Sequence, residues 1–263
     1  MSTALLPQTL GRILVGRALG LWRALFLAAQ VLVLVLTPGS YDRRARAALA
    51  QRVYLDTAPI LLWFTLLAAL LSLVLTRIVV VTALSYGLSQ YALQMVIRVL
   101  VLELIPLTAA LFVALRLTLA HGVDLRALRL GGEMERLRAL GREPLRELVL
   151  PRVLAGVFAT LTLAALSCVV ASLLAYLAVY GFTLAGLDGY TRVFGQVFNP
   201  AVSLIFLLKT LFLSLAVSLI PMVAALQDGT RRSVRSSAEM RALVYMFVAI
   251  VLLEGVSLVG NYY

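Results

Sequence analysis

Long apolar blocks alternate with short charged connections along this chain, and that alternation predicts its elements. Runs at about 57–81, 99–120, 152–179, 201–225 and 242–260 each reach the ~20 residues that a helix needs to cross a bilayer. The in–out alternation of a transmembrane strand is missing, so the blocks predict helices and not a β-barrel. Pro59 falls in the opening turn of the first block, where a proline is tolerated. In the third, Ala164, Cys168 and Ser172 recur every four residues, a small-residue stripe that permits close helix–helix approach.

The first 36 residues follow another pattern. Gln8, Arg12, Arg23 and Gln30 share one helical face, while leucines, valines and Trp22 cover much of the rest. Their uninterrupted apolar part is too short to span, which predicts a helix lying in the membrane plane. A cleavable signal peptide fits less well, because three arginines spread over 23 residues make a poor n-region. Thr37-Pro38-Gly39-Ser40 breaks this helix, and a basic stretch from Arg43 to Arg52 follows. The expected organisation is all-α and polytopic. An interfacial and basic segment occupies 1–56, and a five-span domain occupies 57–263.

The most charged connection is Gly131–Pro151, GGEMERLRALGREPLRELVLP. Met134, Leu137 and Leu140 recur at helical spacing, with Glu133, Glu135, Arg136, Arg138 and Arg142 on the other faces, which predicts a short amphipathic helix. The residue before Pro144 is pushed out of the helical region, so the chain turns at Glu143 and starts again. Two readings stand for this helix: a solvated connection, or a handle gripped from outside the membrane.

Composition supports the membrane reading. The chain is 62% hydrophobic and 13% charged, with a mean hydropathy of +1.02, far from a soluble single-core domain. Its net charge of +11 raises the question of nucleic acid. Nineteen of the 23 basic residues, however, fall in 12–52, 116–152 and 231–241, which are alternate connections. That is the positive-inside pattern, with the amino end inside and the carboxyl end outside, and it excludes a nucleic-acid face. Cys168, alone and inside a span, offers no disulfide and reads as a packing residue.

No phosphate-binding loop or nucleophile elbow occurs, and His121 has no second histidine or cysteine nearby to build a metal site. The chain therefore reads as neither an enzyme nor an ATP binder. What stands out is Glu103, Lys209 and Glu254, each inside a predicted span, where a bare charge costs about 2.5–3.5 kcal/mol or more. All three fall toward the outer half of their helices, and Lys209 is the only lysine in the chain. They are expected to meet at one level, either as structural glue or as part of a transport path.

The order of these features resembles the MlaE family of ABC-transporter permeases. The segment Leu102-Glu103-Leu104-Ile105-Pro106, then Arg116, then Asp124, is similar to the family pattern around its second span. Gly131–Arg152 is similar to the family's coupling segment, with Glu133, Leu137, Arg138, Gly141, Pro144, Arg146, Pro151 and Arg152 matching. Lys209 and Glu254 fall where the family places a lysine and an acid. The chain departs from the pattern at Ile105, Leu115, Thr118 and Arg126, where glycines are usual. Those changes bear on packing of the second span and on the lipid handled.

The resemblance implies a permease subunit of an ATP-driven phospholipid transporter in a bacterial inner membrane, acting between the inner and outer membranes. It implies pairing with a second copy, a separate ATP-binding subunit that holds ATP and Mg, and an MCE-type periplasmic lipid-binding partner. No cofactor is expected in this chain. Glu133, Met134, Leu137, Arg138, Leu140 and Gly141 would contact the ATP-binding subunit. An ion- or proton-coupled carrier using Glu103, Lys209 and Glu254 is the competing class, although no internal repeat supports it. A membrane scaffold would leave those charges without a role.

Overall fold

The computed structural model describes residues 22–23, 26–37, 43–227 and 235–262. Among them the chain is helical throughout, with turns between the helices and no strand. A short apolar helix, α1 (Phe26–Leu36), precedes α2 (Arg43–Ser85). Next come α3 (Tyr91–Leu130) and the short α4 (Glu133–Ala139). The long α5 (Leu145–Tyr180) is followed by α6 (Leu187–Val197), α7 (Pro200–Gln227) and α8 (Arg235–Tyr262). The five long helices α2, α3, α5, α7 and α8 each hold a window apolar enough to cross a membrane. The expected interfacial helix over 8–36 is described only in part; its polar residues Gln8 and Arg12 lie outside the described residues.

The helices overrun the expected spans. The second span was expected over 99–120, yet α3 runs 40 residues, about 60 Å at 1.5 Å per residue. Hydropathy marks where a helix meets hydrocarbon, but the helix continues while one face stays buried. Leu125, well past the apolar run, is fully buried. Pro59 likewise sits inside α2 and not in its first turn, because α2 begins at Arg43. The expected boundary at 56/57 therefore falls within one continuous helix. The connection between the third and fourth expected spans contains α6. Tyr190, Val193, Phe194 and Val197 lie on one face of α6 and pack against the core, a periodicity too short to stand out.

α3 is the central helix: it contributes to each of the four buried clusters. Ala109, Ala110, Val113 and Ala114, all fully buried, let α2, α5, α7 and α8 approach it on different sides. Between apolar helices in lipid the attraction is packing, so small side chains at the contacts are favoured. The stripe in α5 behaves as expected: Cys168 Sγ reaches to 3.5 Å from the Val101 carbonyl of α3. Gly156 marks a tighter crossing still. A Cβ there would fall 2.5 Å from Ser218 Oγ of α7 and 2.9 Å from Thr118 Cγ2 of α3.

Candidate functional site

Glu103, Lys209 and Glu254 come together, from three helices, as their depths predict. Lys209 Nζ donates to Glu103 Oε2 and, at 2.8 Å, to Glu254 Oε1. Its remaining donor reaches the Leu102 carbonyl at 3.3 Å. An ammonium has three N–H groups, so Lys209 is fully used, and its side chain is 1% exposed. Each charge meets the partner it needs to be tolerated at this depth.

Local backbone chemistry explains why the group assembles here. Pro106 has no N–H, so a carbonyl one turn earlier loses its intrahelical partner. The preceding stretch, Ile97–Leu104, is a π-helical segment, a register shift often found at functional positions. In this turn the Leu102 carbonyl takes Lys209 and the Val101 carbonyl takes Cys168. Donors from α7 and α5 thus fill the gap that α3 leaves. Proline and glutamate in α3 and lysine in α7 form one arrangement.

Asn261 completes the group and was missed by the sequence reading. Its Nδ2 donates to Glu103 Oε1 at 3.1 Å, so α8 supplies both an acid and an amide. The available signal was spacing, since Asn261 lies two helical turns after Glu254, on the same face. A neutral side chain near a chain end does not announce itself as a charge does.

The residues around α4 are placed differently from expectation. Met134 and Leu137 are buried, 5% and 6% exposed, whereas Leu140 is 64% exposed. The apolar stripe is therefore split. Met134 packs within the chain beside Val31, Leu125, Val149, Val153, Met222 and Ala225. The outward surface is Glu135, Arg136, Arg138 and Leu140, with Glu133 half-buried. An amphipathic pattern shows that one face seeks cover, but not that the cover is the chain's own core.

Gly141 has a definite task. With φ of 71° it takes the left-handed conformation, while Arg142 N–H bonds the Leu137 carbonyl at 2.9 Å and Gly141 N–H that of Arg138 at 3.0 Å. This pair of bonds is a Schellman cap, which favours glycine at that position. Glu133 and Glu135 at the start and Arg136 and Arg138 at the end of α4 complement its dipole.

A family model described as Permease MlaE matches residues 49–259, from the second turn of α2 almost to the end of α8. The chain belongs to the MlaE permease family. No individual curated protein matches it. Membership makes it a multi-pass membrane permease and a transport subunit of the ABC type, not an enzyme.

In this MlaE-family permease the remaining matched residues separate. Pro106, Pro144 and Arg152 are buried, Pro151 is half-buried, and Arg116 and Asp124 are exposed. Arg152 belongs to a second polar group at the basic end, which the sequence did not reveal. His121 Nε2 lies 3.2 Å from Asp56 Oδ2, and Arg52 Nε lies 3.4 Å from the same oxygen. Arg152, on α5, feels the charges of Arg52, Asp56 and Asp124. This group joins α2, α3 and α5 below the triad. Arg129 adds a further tie, donating to the Ala225 carbonyl at 3.2 Å and to that of Leu226. It caps α7, whose last carbonyls have no helical partner.

Proposed function

We propose that this permease is the membrane subunit of an ATP-driven phospholipid transporter of the bacterial inner membrane, energised by a separate ATP-binding subunit that docks on α4. Two copies pair in the membrane, with the basic ends of the helices cytoplasmic, and a periplasmic MCE-type protein exchanges the lipid. The observation that carries this reading is the anchoring of α4. Its inner face is locked into a cluster shared by α1, α3, α5 and α7, while its outer face presents charge around Leu140. A partner gripping that outer face would move four helices through one small one, in a helix-in-groove mode. The charged rim would set the register of docking.

The test is purification from native membranes. The intact complex is expected to hydrolyse ATP and to carry bound phospholipid, and the chain alone to do neither. Leu140→Asp, at an exposed position, is expected to abolish association while the permease still folds. Undiminished ATPase copurification with that variant would refute docking on α4. Collapsing the proton gradient while ATP is maintained separates this reading from an ion-coupled carrier, because only the carrier would stop.

A further inference from the structure

The two most exposed large apolar side chains among the described residues are Phe182 and Leu184, at 95% and 83%. They stand two residues apart in the turn between α5 and α6, beyond the end of a spanning helix. We propose that this turn is a membrane-inserted tip, with Phe182 and Leu184 seated at the headgroup–acyl boundary of the leaflet opposite the basic end.

Three observations carry the proposal. No charged residue occurs from Val153 to Leu187, so apolar composition continues past the helix and around the turn. Next, three hydrogen bonds within the turn satisfy part of its polar groups internally. Tyr176 Oη donates to the Thr183 carbonyl, Thr183 Oγ1 to the Tyr180 carbonyl at 3.0 Å, and Gly181 N–H to the Leu177 carbonyl at 2.9 Å. Backbone placed near hydrocarbon needs such internal partners. The same contacts hold the turn in one shape: Gly181 has φ of 69°, and the Tyr180 ring occupies the space where Gly186 would carry a Cβ.

Depth agrees. Arg152 lies in the polar group at the basic end, and the 29 residues from it to Gly181 rise about 44 Å at 1.5 Å per residue. A bilayer including its headgroups measures about 40–45 Å. The tip therefore reaches the far interface and not the water beyond it. Continuity points the same way, because Val169 and Leu173 of α5, two to three helical turns before the tip, are exposed apolar side chains. Insertion would also fix the depth of α6, which covers the π-helical segment of α3 through Tyr190, Phe194 and Val197.

The experiment places a single cysteine at Phe182→Cys, in a Cys168→Ser background, and labels it with an environment-sensitive fluorophore. The full-length permease is reconstituted in vesicles of phosphatidylethanolamine and phosphatidylglycerol, with Arg192→Cys on the exposed face of α6 as the reference. The expected result is a blue-shifted emission relative to Arg192→Cys, quenching by shallow spin-labelled lipids, and resistance to aqueous iodide. Emission and iodide quenching equal to the reference would overturn the proposal. Protection from both quenchers would overturn it too, because the occupant would then be protein. Leu184→Cys supplies the same readout if the first variant fails to fold.

Discussion

Lys209 of α7 stands 2.8 Å from Glu254 of α8 and 3.3 Å from the carbonyl of Leu102, the residue one turn before Pro106. A proline and a lysine more than a hundred residues apart are thereby linked through one backbone oxygen. Replacing Lys209 by Met is expected to lower the melting temperature in detergent sharply, since breaking a buried pair costs about 3–5 kcal/mol. Adding Glu103→Gln and Glu254→Gln removes the orphaned carboxylates and is expected to restore the melt. Lipid transport is expected to remain lost in the triple variant; its return would mark the group as structural glue alone.

Asn261→Ala removes one donor from Glu103. A hydrogen bond to a charged group contributes about 1.5–3 kcal/mol, and the half-buried position puts the expected loss toward the lower figure. Asn261→Asp is expected to be worse than Ala, because it adds a further carboxylate beside Glu103. Thermal melts of the two variants check the order.

Gly156→Ala forces a Cβ into the space between Ser218 and Thr118. Overpacking of this kind costs about 1–3 kcal/mol. The expected result is a lower melting temperature, partly recovered by pairing the change with Ser218→Gly. A Gly156→Ala variant as stable as the parent would show that α7 can give way here.

Gly141→Ala leaves the core untouched but opposes the left-handed backbone of the α4 cap, at about 1–2 kcal/mol. Hydrogen exchange at Leu140, Gly141 and Arg142 is expected to quicken. Arg129→Ala is expected to do the same at the last turn of α7, where its guanidinium meets the carbonyls of Ala225 and Leu226. Exchange rates unchanged at these turns would remove the capping assignments.

The spans were legible because the bilayer imposes a long, simple signal, and the triad because a buried charge must find its counter-charge. Asn261 and His121 were not legible as members of their groups, for neither carries an obligatory charge that calls for a partner. The direction of the Met134–Leu137 face was hidden for a different reason. Periodicity reveals a face, while what covers it depends on residues as distant as Val31 and Met222. The extended length of α3 depended on contacts of Leu125 and Arg129 with other helices, which no local pattern records.

The cluster around Met134 has a mechanical corollary. Its described members come from α1, α3, α4, α5 and α7, with none from α2 or α8. A push delivered to α4 would therefore meet a close-packed block, and close packing is stiff enough to transmit strain. The two flanking helices, α2 and α8, lie outside this cluster and pack on the block through separate ones. Glu254 and Asn261 ride on one of them, α8, so a stroke applied at the basic end would be felt as shear across their bonds to Lys209 and Glu103.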